Sequence, residues 1–148
     1  MSQKVKRLYA DGCFDLTHYG HFRFFKRCSY LAEEVIIGVH SDEEMIKYKR
    51  KPILGMDERA ESVGACRYVD DVILNAPLKV TKEFIETNNI DLVVHAHAEE
   101  EDEIHQKMFY EIVSDLGKFK RLEYTSTVST TEIINRIKYR EDLKKKTL

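Results

Sequence analysis

Short apolar runs of strand length alternate along this chain with longer stretches whose apolar residues recur at helical spacing. That alternation constrains the fold more than any other feature. Val5 to Ala10 reads as a strand. Phe24, Phe25, Cys28 and Leu31 share one face of a helix over Gly20 to Leu31. Val35-Ile36-Ile37-Gly38-Val39 is rich in β-branched residues and reads as a buried strand. Ser41 before Asp42-Glu43-Glu44 marks a helix start, and Asp57 opens another helix that reaches about Cys66. Strands over Val69 to Leu74, Ile90 to His95 and Lys120 to Tyr124 follow. Helices cover Thr81 to Thr87, Ile104 to Leu116, which Gly117 stops, and Thr130 to Leu143. Strands alternating with helices build βαβ units, and strands apolar nearly throughout lie in a sheet covered on both faces. The pattern predicts an α/β three-layer sandwich around a mostly parallel central sheet of about five strands. Ligands of such sheets bind beyond the carboxyl ends of the strands, where the winding reverses.

The 148 residues contain no internal repeat and no Pro/Gly/Ser-rich linker. One domain over residues 1–148 is expected, with a short Lys-rich tail over about 140–148. The 24 Lys and Arg against 26 Asp and Glu give a net charge of −2, which argues against a general nucleic-acid binder. No apolar stretch has the roughly 20 residues that a membrane helix needs, and the first residues carry no apolar signal region. Cys13, Cys28 and Cys66 form neither a disulfide framework nor a CxxC pair, so a reducing compartment, the cytoplasm, is the expectation. An anion bound by such a chain must be held by local geometry rather than by bulk charge.

The loop after the first strand runs Asp11-Gly12-Cys13-Phe14-Asp15-Leu16-Thr17-His18-Tyr19-Gly20-His21. It has no GxGxxG fingerprint, so an ordinary dinucleotide site is not expected. Instead, His18 and His21 flank Gly20 at a helix start, where backbone amides and the helix dipole favour phosphate. Gly20 lets a phosphate approach the backbone, and two imidazoles can donate hydrogen bonds without full positive charge. Ser129-Thr130 reads as the cap of the last helix.

His18-Tyr19-Gly20-His21 resembles the HxGH signature of the nucleotidyltransferase superfamily, and Asp11 to His21 resembles the cytidylyltransferases more narrowly. Further stretches fit in order. Gly38 to Glu44 resembles the second-strand region of the ethanolamine-phosphate cytidylyltransferases, and Lys49 falls where the family has a CTP-binding lysine. Glu58-Arg59 with Cys66-Arg67-Tyr68-Val69-Asp70 resembles its ER…RYVD segment. Asn75-Ala76-Pro77 resembles its NAP turn, and Ser129 to Ile134 the end of its RTEGIST motif with the helix after it. The likeness runs from about Arg7 to Arg136.

The resemblance implies a Rossmann-like three-layer sandwich that transfers CMP from CTP to a phosphorylated alcohol for phospholipid biosynthesis, releasing pyrophosphate. It implies catalytic roles for His18, His21 and Lys49. It implies nucleotide binding by Gly12, Cys13, Phe14, Gly20, His95, Ser129, Thr130 and Thr131. Mg²⁺ accompanying CTP and a homodimer, with Arg67 to Val69 in its interface, are further implications. No protein nucleophile is needed, so catalysis is positioning plus charge stabilisation.

Two stretches depart from the family. Tyr124 stands where RTEGIST begins with an arginine that contacts the nucleotide phosphates, and Thr127 stands at its glycine. Arg121 lies three residues earlier, an odd offset that turns a strand side chain to the other face. After the fourth strand the family has an acidic or amide pair; here it is His95-Ala96-His97-Ala98 and an acidic run, Glu99 to Glu103. His95 and His97 share a strand face and could hold a metal, but the expectation is no protein metal site, with His95 packed beneath the nucleotide. Arg59 is expected to serve a surface ion pair, and the cations around Lys49 to be solvated. The complete HxGH, Lys49 and the Ser-Thr-Thr end favour an active enzyme over the alternative, a weak or inactive nucleotide-binding module.

Choline carries a quaternary ammonium, best held by aromatic faces. Choline-phosphate enzymes place a tryptophan just after NAP; this chain has Leu78 there and no Trp at all. A primary ammonium can donate hydrogen bonds to a carboxylate such as Asp11. Asp11 and Leu78 are therefore the expected acceptor-binding residues, with phosphoethanolamine preferred over phosphocholine. Tyr9, Tyr19, Tyr68 and Tyr110 are candidates to line a cation pocket. No membrane anchor is expected.

Overall fold

A computed structural model describes residues 3–97, 101–125 and 127–145. In chain order its elements are β1 (Val5–Gly12), α1 (Tyr19–Leu31), β2 (Ala32–Val39), α2 (Asp42–Tyr48), α3 (Met56–Gly64), β3 (Asp71–Leu74), α4 (Lys82–Thr87), β4 (Leu92–His97), α5 (Glu101–Asp115), β5 (Phe119–Glu123) and α6 (Thr130–Tyr139). A short 3₁₀ turn, Glu141–Lys144, follows α6. The five strands form one sheet in the order β3-β2-β1-β4-β5, and every neighbouring pair is parallel. The predicted α/β architecture holds.

Alternation along the strands divides the core. Leu8, Ala10, Val35, Ile37, Val39 and Val94 face α1 and α3, where Phe25, Cys28, Ala60 and Val63 cover them. Tyr9, Ile36 and Val93 face the opposite side and meet Val80, Ile85, Tyr110 and Val113. Residues one apart on a strand point to opposite faces, so an unbroken apolar run serves both layers. The winding reverses between β1 and β4, which pair through Leu8 with Leu92 and Tyr9 with Val93. The loops beyond those two strands therefore diverge and leave a crevice.

Several element boundaries differ from the sequence pattern, each for a local reason. β1 continues through Asp11 and Gly12, which pair with Gly38 and Val39 although neither looks like a strand residue. β2 begins at Ala32, directly after α1, because Ala32 is already extended and pairs with Val5. α3 starts at Met56 on a Gly55 cap, one residue before Asp57, and ends at Gly64 rather than Cys66. Val69 and Asp70 precede β3; Asp70 instead clamps Val35, donating its N–H to the Val35 carbonyl and accepting the Val35 N–H on its carboxylate. The last helix stops at Tyr139, where Arg140 turns extended.

The largest correction concerns Arg59. It serves no surface pair: its side chain is 0% exposed. Nε donates to the Leu54 carbonyl at 3.0 Å and Nη1 to the Cys13 carbonyl at 2.7 Å. Nη2 donates to the His40 carbonyl at 2.9 Å and to Asp42 Oδ1 at 2.6 Å. One planar fork thus ties α3 to the loop after β1, to the loop after β2 and to the segment before α3. Arg59→Met should lower unfolding free energy by roughly 3 kcal/mol, because it strands buried carbonyls and a carboxylate. Arg136→Met, which breaks the exposed pair with Glu132, should cost no more than about 0.5 kcal/mol. Denaturant unfolding of both variants checks the contrast.

Candidate active site

The crevice at the winding reversal holds a cavity of about 560 Å³. Gly12 at the end of β1 and Cys13, Phe14 and Asp15 of the loop after it line the cavity. Phe14 and Leu16 there adopt left-handed backbone, at φ 54° and 48°, a conformation that L side chains rarely take. The Phe14 ring folds back over Gly12, where a Cβ would lie 2.9 Å from Phe14 Cζ.

The loop ends in a helix cap made of two imidazoles. The Gly20 N–H donates to His18 Nδ1 at 3.1 Å, and the His18 N–H donates to His21 Nδ1 at 3.2 Å. A backbone N–H can only donate, so each neutral ring carries its proton on Nε2. The rings stack with centroids 3.9 Å apart. Burial lowers the His18 pKa, and burial, reinforced by His18 and Lys49, pushes that of His21 down to about 3. Both rings are neutral hydrogen-bond donors near pH 7. A Cβ at Gly20 would lie 2.9 Å from His18 Cε1, so this glycine makes room first of all for the imidazole.

The start of α6 meets the start of α1 across the cavity. Ser129 caps α6 by accepting the Glu132 N–H. The Thr130 hydroxyl donates to the Asp15 carbonyl at 2.9 Å, and its oxygen lies 3.5 Å from His18 Nε2. The Asp15 carboxylate accepts the Ile53 and Leu54 N–H groups at 2.7 and 2.9 Å. Asp15 therefore joins the β1 loop, the α2–α3 segment and α6. Lys49, at the C-cap of α2, lines the same cavity with Arg50 and Pro52.

Beside the helix ends lies a buried polar cluster. Asp11 follows Tyr9 by two residues and points to the same face of β1. The Tyr110 hydroxyl donates to Asp11 Oδ1 and lies 3.2 Å from His95 Nδ1. The His40 Nδ1 is 2.8 Å from the Ala76 carbonyl, and its Nε2 faces Asp11 Oδ2 at 3.8 Å. Asp11 Oδ2 is buried and has no hydrogen-bond partner among the described residues, and the same is true of the Tyr9 hydroxyl. Burial, opposed by His40 and by the Tyr110 hydrogen bond, raises the Asp11 pKa. The Tyr9 hydroxyl presses on β2: a Cβ at Gly38 would sit 2.2 Å from it.

Of the residues singled out from sequence, Asp11, Gly12, Cys13, Phe14, His18, Gly20, His21, Lys49, His95, Ser129, Thr130 and Thr131 all line this one cavity. Leu78 does not; it is half-buried in the turn after β3. Tyr9 and Tyr110 cluster with Asp11, but Tyr68 packs on the α1–α3 side of the sheet, and the Tyr19 hydroxyl bonds Thr127 at the surface. Tyr124 lines the cavity and Arg121 does not. The His97 side chain, residues 99–100 and the side chains of residues 101–103 in the acidic run lie outside what the structure describes. Arg50, Asp15 and Tyr110 are the site residues that sequence reasoning undervalued. The lone carboxylate three residues before the first histidine was the available signal for Asp15.

Asp11 and Asp15, the aspartates that line the cavity, are largely committed to other partners. Asp15 gives both oxygens to backbone N–H groups, and Asp11 gives one to Tyr110. Among the described residues no three His, Cys, Asp or Glu side chains gather as ligands. Mg²⁺ is commonly carried by substrate phosphates with several waters retained, which such a cavity permits.

The depressed His21 pKa makes a stability prediction. Unfolding lets the imidazole take up a proton anywhere between its ordinary value, 6.5, and its native value of about 3. The His21 contribution is therefore complete above pH 6.5 and falls by about 1.4 kcal/mol per pH unit as pH drops below that. Asp11, with its raised pKa, slopes the other way. Chemical denaturation of wild type and His21→Asn from pH 7.5 to 4.5 should thus give a difference that is constant down to about pH 6.5 and shrinks below it. A constant difference would contradict a neutral native His21.

Three comparisons bear on this site. A family model described as cytidylyltransferase-like matches residues 9–136. Ethanolamine-phosphate cytidylyltransferase of Dictyostelium discoideum is 37% identical over 141 residues, covering 92% of this chain and 38% of that protein. Choline-phosphate cytidylyltransferase 2 of Arabidopsis thaliana is 38% identical over 139 residues, covering 92% of this chain and 46% of that protein. The chain thus spans less than half the length of these relatives. The lipopolysaccharide core biosynthesis protein from Thermoplasma volcanium superposes with a TM-score of 0.63 at 22% identity, over 82% of this chain and 97% of that one, and so shares the fold. The match over residues 9–136 takes in both helix starts, both imidazoles and the strands between them, and the chain belongs to the cytidylyltransferase-like family.

Proposed function

We propose that this chain transfers CMP from CTP to the phosphate of a phosphorylated amino-alcohol, with phosphoethanolamine preferred. A phosphate oxygen of the acceptor bonds to the α-phosphorus, the bond from that phosphorus to the β-bridging oxygen breaks, and pyrophosphate leaves with the bond's electron pair. The observation that carries this reading is the meeting of two helix starts over two neutral imidazoles whose Nδ1 atoms accept backbone N–H groups, leaving Nε2 as the donor atom, with only a long 3.5 Å contact from His18 Nε2 to Thr130. Such donors, fixed before substrate arrives, stabilise charge that grows on phosphoryl oxygens as the leaving group departs. Lys49 adds a mobile cation. A divalent ion, Mg²⁺ in the simplest case, enters with the triphosphate and neutralises part of its charge.

Asp11 supports the amino-alcohol. Among the described residues its buried Oδ2 has no donor within hydrogen-bond distance, His40 Nε2 standing off at 3.8 Å, and a primary ammonium supplies N–H groups that a quaternary ammonium lacks. This favours ethanolamine over choline as the head, although relatives named for both acceptors match this chain at similar identity. Leu78 has no part in the reading. The three free cysteines agree with a reducing, cytoplasmic setting. The single sheet agrees with one domain, and the homodimer that the family likeness implies, with Arg67 to Val69 in its interface, belongs to the same reading.

Purified protein given CTP, Mg²⁺ and phosphoethanolamine should release pyrophosphate, with phosphocholine slower. No release with either acceptor overturns the reading. His18→Ala and His21→Ala should each lower kcat by about 10²–10³-fold, the usual loss on removing a preorganised donor. Asp11→Asn should raise KM for phosphoethanolamine at least tenfold while leaving KM for CTP within threefold. A loss shared equally by both substrates would place Asp11 outside the acceptor site.

A further inference from the structure

The family likeness leaves one cation unaccounted for, and the cavity holds one that the likeness does not assign. Arg50 follows Lys49 and lines the same cavity. Its Nη1 donates to the Thr131 hydroxyl at 3.1 Å, so the guanidinium lies across the first turn of α6. No carboxylate pairs with it among the described residues. Other arginines are engaged: Arg59 with Asp42, Arg7 with Glu34, Arg136 with Glu132 and Arg140 with Asp142. Tyr124 reaches the same cavity from the far end of β5 but has no positive charge.

Building on the function proposed above, we propose that Arg50 supplies the guanidinium that grips the CTP phosphates in this chain, the role left open by tyrosine at position 124. A guanidinium has five N–H donors, and a single hydrogen bond to a hydroxyl leaves most of the fork available. Placed at a helix N-terminus, it adds a full charge where amides already favour an anion. Arg and Lys divide the work: the planar fork of Arg50 fixes phosphate orientation bidentately, while the flexible ammonium of Lys49 follows the charge as it moves. Binding an anion of several charges to a protein of net charge −2 needs such a local concentration of cations.

The test is steady-state kinetics with CTP varied, on wild type, Arg50→Ala, Arg50→Lys and the double variant Arg50→Ala with Tyr124→Arg. Lys47→Ala is the control for general surface charge, because Lys47 is exposed and pairs with Glu44. Arg50→Ala should lower kcat/KM for CTP by 10–100-fold, leave KM for the acceptor within threefold and leave Tm unchanged. Arg50→Lys should recover part of the loss, and the double variant should return to within about threefold of wild type. Calorimetric titration with CTP alone should show the same order of affinities. Three outcomes overturn the proposal: Arg50→Ala within twofold of wild type, Lys47→Ala losing as much as Arg50→Ala, or a double variant no better than Arg50→Ala. A wild type that turns over while Arg50→Ala matches it removes this inference alone. An inactive wild type removes the function proposed above, and the CTP titrations still decide whether Arg50 binds nucleotide.

Discussion

One buried guanidinium organises the ground on which the site is built. Arg59 joins the carbonyls of Cys13, His40 and Leu54 and the carboxylate of Asp42. These belong to three loop segments that the sheet alone would leave to move separately. Asp15 completes the connection by receiving the Ile53 and Leu54 amides while its own carbonyl receives Thr130. The cation cluster after α2, the imidazole cap of α1 and the start of α6 thereby share one frame. A long side chain in the interior is costly unless every donor is met, and here each nitrogen of the fork has a partner.

Within that frame, recognition of an anion does not depend on net charge. The two imidazoles receive N–H groups on one nitrogen and offer N–H on the other, so they act as relays of the backbone dipole. Burial keeps His18 neutral, and burial, with His18 and then Lys49 beside it, keeps His21 neutral. A positive ring would bind phosphate more strongly before reaction and after it. A neutral donor held in place favours the point at which charge is greatest, which is the better use of such a contact.

The strands were readable because β-branched runs such as Val35 to Val39 have few alternatives, and the helix starts because Ser41, Thr81 and Ser129 are good caps. The ends of strands were not, since Asp11 and Gly12 join β1 only by pairing with Gly38 and Val39. The site loop was readable from His18-Tyr19-Gly20-His21, whose spacing already requires both rings at one helix start. Arg59 was misread because Asp57-Glu58-Arg59 looks like a solvated helix turn; its carbonyl partners come from distant segments that no local pattern reveals. Arg50 was lost among Lys47, Lys49 and Lys51: the whole run is exposed, as its composition suggests, but composition cannot say which members also border the cavity. The Leu78 expectation rested on alignment to a neighbouring turn, and the turn folds against β2 through Ala76 instead of toward the cavity.

The close approach of Tyr9 to Gly38 has a consequence for descent. The tyrosine hydroxyl occupies the volume in which any other residue at position 38 would keep its first carbon. A relative that gains a side chain there must first hold something shorter at position 9, and must also shift Ala76, whose Cβ would lie 2.7 Å away. The two positions, far apart in the chain but adjacent on β1 and β2, are thus bound to one mutational order: a change at position 9 can stand alone, whereas a side chain at position 38 cannot precede it.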